Sequence, residues 1–324
     1  MTPATEFIPF ARPSLGREEE EAVLEVLRSG WLTTGRVTHE FETAFARTVK
    51  CDTALAVNSG TAGLHLALEA FGIGDNDKVV TTPYTFAATA EVIRYVGAHP
   101  VFVDVDPATL NIDPDGVARA VKTHAGKVRA LLPVHIGGLP CAIRELTDIA
   151  RHAGISLIED CAHAFPVSVE DRTLGLWGQA GVYSFYANKT ITTGEGGMIV
   201  THSPEAAARM RLMRTHGIDR EAWDRYTSPR NSWYYEIVEA GYKYNLTDIA
   251  AAIGLVQLKK AEVFKRARAA VAHHYLNAFA TGSPACTRCI HTANRIVWTM
   301  KLESAATISG MICEVRWQYE IRNQ

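Results

Sequence analysis

The stretch Gly181-Val-Tyr-Ser-Phe-Tyr-Ala-Asn-Lys-Thr-Ile-Thr-Thr-Gly-Glu-Gly-Gly-Met-Ile-Val-Thr201 carries one lysine between two strand-like runs. Val182 to Tyr186 is β-branched and aromatic and reads as a strand, Met198 to Thr201 reads as a second, and Lys189 lies in the turn that joins them. Gly194, Gly196 and Gly197, around Glu195, let that turn fold tightly or admit a ligand close to the backbone. A lysine held at a strand end can serve as an imine-forming amine. Taken alone, the stretch reads more simply as an ordinary turn with a solvated lysine, since most lysines are surface groups. What surrounds it in the chain decides.

Upstream, apolar strands at about 54–58, 78–82, 100–105, 129–135 and 155–160 alternate with helix-like stretches near 61–71, 86–96, 114–123 and 141–153. The runs 182–186 and 198–201 bring the strands to seven. This rhythm predicts an α/β domain with a mainly parallel sheet between helices and ligands at the carboxyl ends of its strands. Before it, Ala22, Val23, Val26 and Leu27 make a helical stripe along 17–29, closed by Gly30. After it, Thr247 to about Phe279 reads as one long helix, with Asp248 early and Ile249, Ile253, Val256 and Leu258 apolar. That helix is expected to bridge two domains. The first spans residues 1–246 and includes the N-terminal segment; the second spans 247–324, with 295–303 alternating as a strand in a smaller α+β unit.

Composition excludes several classes. The chain of 324 residues, 47% of them apolar, can bury a sizeable core. A formal net charge of −2 gives no field that would recruit nucleic acid or an anionic membrane. Neither a basic start with an apolar core nor a run of membrane-spanning length is present, so the expected location is the cytoplasm. Six scattered cysteines do not form a secreted disulfide framework. Cys286-Thr-Arg-Cys289 with His291 makes half a zinc site without a second ligand pair, and no metal is expected.

The strand ends carry the chemistry. Asn58-Ser-Gly-Thr-Ala-Gly follows one strand and opens a helix, which suits a phosphate; alone, it reads equally as a routine helix cap by Ser59 or Thr61. In Thr82-Pro-Tyr-Thr-Phe-Ala-Ala-Thr89, Pro83 breaks the ladder and Phe86 can turn its ring into the crevice or into the core. Ile155-Ser-Leu-Ile-Glu-Asp160 is a buried strand with a carboxylate at its tip, placed where a ligand at the strand ends could meet it; alone, an acidic strand end before a loop is commonplace. His163, three residues on, either contacts a ligand there or satisfies a core hydrogen bond. Ser184 and Tyr186 share a strand face by alternation.

Ser184-Phe-Tyr-Ala-Asn-Lys-Thr-Ile-Thr-Thr-Gly-Glu-Gly-Gly-Met198 resembles the cofactor-lysine motif of the DegT/DnrJ/EryC1/StrS sugar aminotransferases, and further motifs extend the resemblance from about Trp31 to about Ser309. It implies the fold-type I architecture of enzymes that use pyridoxal 5′-phosphate (PLP), with Lys189 as the catalytic, cofactor-holding lysine. The other residues it assigns to the cofactor are Gly60, Thr61 and Ala62 as a phosphate cup, Phe86 as the stacking ring, Asp160 at the pyridine nitrogen, His163 near the ring, and Ser184 at the phosphate. Gly241-Tyr-Lys-Tyr-Asn-Leu-Thr-Asp248 resembles the segment that reaches the other subunit's phosphate, which implies a homodimer and assigns Asn245, with Lys243 second. Three positions depart from the pattern: Arg36 where proline is expected, Ala250 for a frequent glutamine, and Gly175-Leu-Trp-Gly-Gln179 for Gly-Thr-x-Gly-Asp. The implied activity moves an amino group from glutamate to a nucleotide-linked keto sugar, at its 4-position, for amino-sugar or surface polysaccharide synthesis. Gly310–Gln324 matches nothing in the family, so an incomplete small domain and an open substrate mouth are expected, and a non-catalytic or regulatory relative is the rival reading.

Overall fold

Along strand β1 (Thr53–Val57), Ala54 and Ala56 enter one hydrophobic core while Leu55 and Val57 enter another, and all four are buried. Side chains of a strand alternate between faces, so a strand buried on both sides reads as a continuous apolar run. The computed structural model describes Pro9, residues 11–220, Trp223 and residues 234–279. Beyond β1 its main sheet holds β2 (Lys78–Thr81), β3 (His99–Phe102), β4 (Val128–Leu131), β5 (Ser156–Asp160), β8 (Ala180–Ser184) and β9 (Gly197–Thr201). A short hairpin, β6 (Ser168–Val169) and β7 (Arg172–Thr173), lies apart from it. The seven main strands run in the order β1-β9-β8-β5-β4-β2-β3. β9 is antiparallel to both neighbours and every other pairing is parallel, as the alternation of elements predicts.

Helices cover both faces. On one side α3 (Gly60–Ala70), α4 (Ala87–Tyr95) and α7 (Pro204–Met213) pack over Leu55, Val79, Ile158, Val182 and Ile199. On the other, α2 (Arg36–Val49), α5 (Pro114–Thr123), α6 (Ile143–Ala153) and the long α8 (Asp248–Phe279) pack over Val80, Leu131, Tyr183 and Met198. The first helix, α1 (Arg17–Ser29), carries Glu18, Glu19 and Glu20 in its first turn, favourable at the positive end of a helix, and packs on α8. Lys260 of α8 pairs with Glu18 and Glu19 at 2.8 Å.

The seven sheet strands read from sequence between residues 54 and 201 are present with shifted ends. The run expected over 129–135 stops at Leu131, and the one expected over 182–186 runs from Ala180 to Ser184. α2 and α7 are additions to the elements that periodicity picked out. Gly35, the residue before α2, offers no capping side chain; Asp248, at the start of α8, supplies the cap from across the fold, its Oδ1 accepting from Gly35 N–H at 2.8 Å and Thr38 N–H at 2.9 Å. Arg214, fully buried, donates to Glu42 of α2 and to the Ala56 carbonyl of β1, which ties that helix to the sheet. The strand expected at 295–303, the Cys286/Cys289/His291 group and the tail from Gly310 lie outside the described residues. Among the described residues, no helix is long and apolar enough to cross a membrane.

Candidate active site

Strand register brings the phosphate corner together. Val57 at the end of β1 and Ser184 at the end of β8 both pair with Gly197 at the start of β9. A Cβ on Gly197 would lie 2.7 Å from the Ser59 carbonyl oxygen and 2.8 Å from Gly60 N, so glycine is what lets β9 touch the turn into α3. Ser59 caps that helix, its Oγ accepting from Ala62 N–H at 3.0 Å, and the cap reading of Ser59 holds. Ala62 is thereby committed, whereas the N–H groups of Gly60 and Thr61 meet no acceptor among the described residues. These two donors stand at the positive end of a helix, where an anion is stabilised. A Cβ on Gly60 would sit 3.1 Å from Ser184 Cβ and 3.5 Å from its Oγ, so the serine hydroxyl borders the same corner. The set fits a phosphate.

Lys189 sits in the loop from Phe185 to Gly196, which folds back on itself. Phe185 N–H donates to Gly196 O at 2.8 Å, Thr193 N–H to Phe185 O at 3.0 Å, and Lys189 N–H to Tyr186 O at 2.9 Å. Gly194 takes φ +81°, a left-handed turn that a side chain would strain. α8 braces the loop from behind: Arg268 donates to the Lys189 carbonyl at 3.2 Å, and Gln257 accepts from Thr192 N–H at 3.4 Å. Burial lowers the pKa of the Lys189 amine, and the charge of Asp160 opposes that shift.

Asp160 ends β5 and is buried. Its Oδ1 accepts from Ala162 N–H at 3.0 Å and its Oδ2 from the Thr89 hydroxyl at 2.8 Å. Burial pushes its pKa up; these two donors and the charges of Lys189 and His135 work against the rise. His163 follows in the next turn, where its Nδ1 accepts from Gly137 N–H at 3.3 Å. Burial and the Lys189 cation lower its pKa to about 4, so the ring is neutral near pH 7 and Nε2 carries the proton. Phe86 precedes α4 and is 76% exposed, which excludes the core alternative. Asn245 pairs its backbone with Val57, next to the phosphate corner, and donates from Nδ2 to Thr34 Oγ1 at 2.7 Å; its Oδ1 takes the Lys243 ammonium.

Sequence reading passed over Thr89, Glu159 and Arg268. Thr89 could have been found from its place four residues after Thr85 in the first turn of a helix. Glu159 faces away from the crevice and organises the loop that departs from the family pattern. It accepts from Gly175 N–H at 2.8 Å, Trp177 N–H at 2.6 Å and Gly178 N–H at 2.9 Å, and meets His135 Nε2 at 3.1 Å. Gln179 fits there because its Oε1 takes Leu157 N–H at 2.7 Å. His135, Glu159 and the buried Cys161 bring three potential metal-ligand atoms within 4.8 Å of one another. Both carboxylate oxygens and both ring nitrogens already have protein partners, and burial raises the Cys161 thiol to about 12, so this group is a hydrogen-bonded knot.

Residues 13–306 match the DegT/DnrJ/EryC1/StrS aminotransferase family. The chain is 46% identical over 273 residues to the uncharacterized protein MJ1066 of Methanocaldococcus jannaschii, covering 84% of this chain and 70% of that one. It is 40% identical over 321 residues to the spore coat polysaccharide biosynthesis protein SpsC of Bacillus subtilis, covering 97% and 82%. Among solved structures, the PMP form of Streptococcus pneumoniae Spr1654, described as a sugar aminotransferase, superposes with a TM-score of 0.78 at 30% identity, covering 86% of this chain and 73% of that one.

Proposed function

The chain belongs to the DegT/DnrJ/EryC1/StrS aminotransferase family and is a PLP-dependent sugar aminotransferase, and from that premise we propose that it moves an amino group from glutamate to a nucleotide-linked keto sugar, at the 4-position. The observation that carries this reading is the meeting of Lys189, Asp160, Ser184 and the Gly60 turn at the carboxyl ends of β1, β5 and β8. When bound, PLP supplies an aldehyde carbon for the amino group and a ring that accepts electrons.

The residues divide the work. Gly60 N–H, Thr61 N–H and Ser184 Oγ bind the phosphate, which fixes the ring's reach into the crevice. Phe86 covers one face of the ring and restricts its tilt. Asp160 accepts a hydrogen bond from the ring nitrogen and keeps the proton there, while neutral His163 offers Nε2–H to the ring's oxygen. Lys189 holds the cofactor at its aldehyde carbon. Once displaced by the amino donor, its Nζ would take the proton from the donor's α-carbon and deliver it to the cofactor's aldehyde-derived carbon, a task helped by a pKa that burial lowers. A homodimer in which the segment around Lys243 and Asn245 serves the neighbouring subunit's phosphate is part of the same reading, and monomeric sedimentation would remove that part. The name of the Bacillus subtilis relative supports a product bound for a surface polysaccharide.

The test is direct. Purified protein supplied with PLP, glutamate and a panel of nucleotide 4-keto sugars should yield an amino sugar detectable by mass. Borohydride reduction and peptide mapping should place the cofactor on Lys189, and Lys189→Ala should lose both the adduct and all turnover. No product across the panel would favour a non-catalytic relative, and an adduct on another lysine would overturn the assignment.

A further inference from the structure

Three observations meet at Thr89. The side chain is 1% exposed, and its hydroxyl lies 2.8 Å from Asp160 Oδ2 and 2.7 Å from Thr85 Oγ1. Its backbone N–H donates to the carbonyl of Phe86 at 3.2 Å. Phe86 precedes α4 and gives that helix no side-chain cap, so Thr89 ties down its first turn while also reaching across to β5.

The proton order follows from the partners. An ionised carboxylate only accepts, so the single hydroxyl proton of Thr89 is committed to Asp160. The Thr85 hydroxyl must then donate to the Thr89 oxygen, giving one directed chain from Thr85 through Thr89 to Asp160. Bonds onto a charged acceptor are shorter and stronger than neutral ones, and a donor that is itself hydrogen-bonded is strengthened further. With Ala162 N–H on Oδ1, each oxygen of Asp160 has one protein donor and the carboxylate plane is held at two points.

We propose that Thr89 is a positioning residue of the aminotransferase: it orients Asp160 towards the cofactor's ring nitrogen and couples that carboxylate to the loop carrying Phe86. The inference rests on the proposed roles of Asp160 and Phe86, and it adds the link between them. Through one residue, by its hydroxyl on Asp160 and its backbone N–H on the Phe86 carbonyl, the group at the ring's edge and the group on the ring's face are tied together. The environment of Asp160 agrees, since burial raises its pKa while the Thr89 hydroxyl, Ala162 N–H, Lys189 and His135 oppose the rise.

The experiment compares Thr89→Val, which keeps the shape and removes the hydroxyl, with Thr89→Ser, which keeps the hydroxyl. Two quantities are read: the affinity of the apoprotein for PLP, and the nitrogen-15 resonance of ring-labelled PLP, which distinguishes a protonated from a neutral pyridine nitrogen. Thr89→Val is expected to weaken PLP binding about tenfold, the scale of one hydrogen bond to a charged group, and to move the resonance towards the neutral form. Thr89→Ser should restore the resonance and most of the affinity. Thr85→Val should shift both quantities in the same direction by less, and it carries the test alone if Thr89→Val fails to fold. A protonated ring nitrogen and unchanged affinity in Thr89→Val, or equal damage in the valine and serine variants, overturns the inference. Asp160→Asn in the same assays separates the two levels. If it neutralises the ring nitrogen and Thr89→Val does not, only the role of Thr89 falls; if neither does, the role of Asp160 falls first.

Discussion

The two faces of the sheet at the end of β5 are built from adjacent carboxylates with opposite tasks. Glu159 points to the face under α6 and is saturated, with three backbone N–H groups and His135 on its two oxygens. Asp160 points into the crevice and has one protein donor on each oxygen, with Lys189 near enough for each charge to act on the other. Residue type does not separate them, and neither does burial, at 0% and 4% exposure. What separates them is remaining capacity. A carboxylate has about four acceptor positions, so Glu159 has been spent on the loop 175–178 while Asp160 still has room for a ligand.

That contrast can be broken by exchanging each acid for its amide. The largest effect is expected for Asp160→Asn, which should slow single-turnover reaction with glutamate by about a hundredfold or more while leaving the melting temperature nearly unchanged, because an amide supplies no charge to hold the ring proton. A normal rate would end the functional half of the comparison. Glu159→Gln should do the reverse. Its new NH2 group would face Gly175 N–H and His135, leaving donors opposed in a dry interior, at a cost of about 2 kcal/mol of stability with activity per folded molecule retained. Denaturant melts alongside active-site titration would measure both, and lost activity at unaltered stability would show that the two faces are not independent.

Two smaller effects sharpen the contrast. Arg268→Gln removes a brace behind the lysine loop, so hydrogen exchange across 186–196 should quicken by about fivefold while exchange in β5 stays the same. Equal exchange would mean that the loop holds itself. The smallest effect is a pH dependence. His163 has its pKa lowered from 6.5 to about 4 in the fold, so the stability gained by keeping it neutral is complete above about 6.5 and is lost as pH falls through 4. His163→Gln should flatten that part of the acid limb in urea midpoints measured between these two values. An unchanged slope would mean that another group carries it.

The site was legible to the extent that its residues sit at strand ends. Lys189, Asp160, Ser184 and the Gly60 turn each follow or close an apolar run, and the carboxyl ends of parallel strands lie on one side of the sheet by construction. Phe86 was ambiguous because a phenylalanine after a strand suits the core or a crevice, and only its 76% exposure decides. Glu159 was passed over because its partners lie in a loop sixteen to nineteen residues later, at spacings that no helix or strand period marks.

What the sequence determined by itself is local: the alternation of strands and helices, the long helix from Asp248, and the glycines that let the lysine turn and the phosphate corner close. Those properties depend on neighbours within a few positions, and period and turn chemistry report them. What the tertiary structure decided is which distant groups satisfy one another. Helix α2 carries apolar Val37, Phe41, Phe45 and Val49 at helical spacing, yet Gly35 before it has no cap to offer, and the cap arrives from Asp248, 213 residues away. Lys189 is chemically distinctive only because burial lowers its pKa, and Asp160 is a usable acid only because Thr89 and Ala162 leave part of it open. A buried polar group takes its character from the atoms that surround it once water is gone, and those atoms are chosen by the packing of the whole domain.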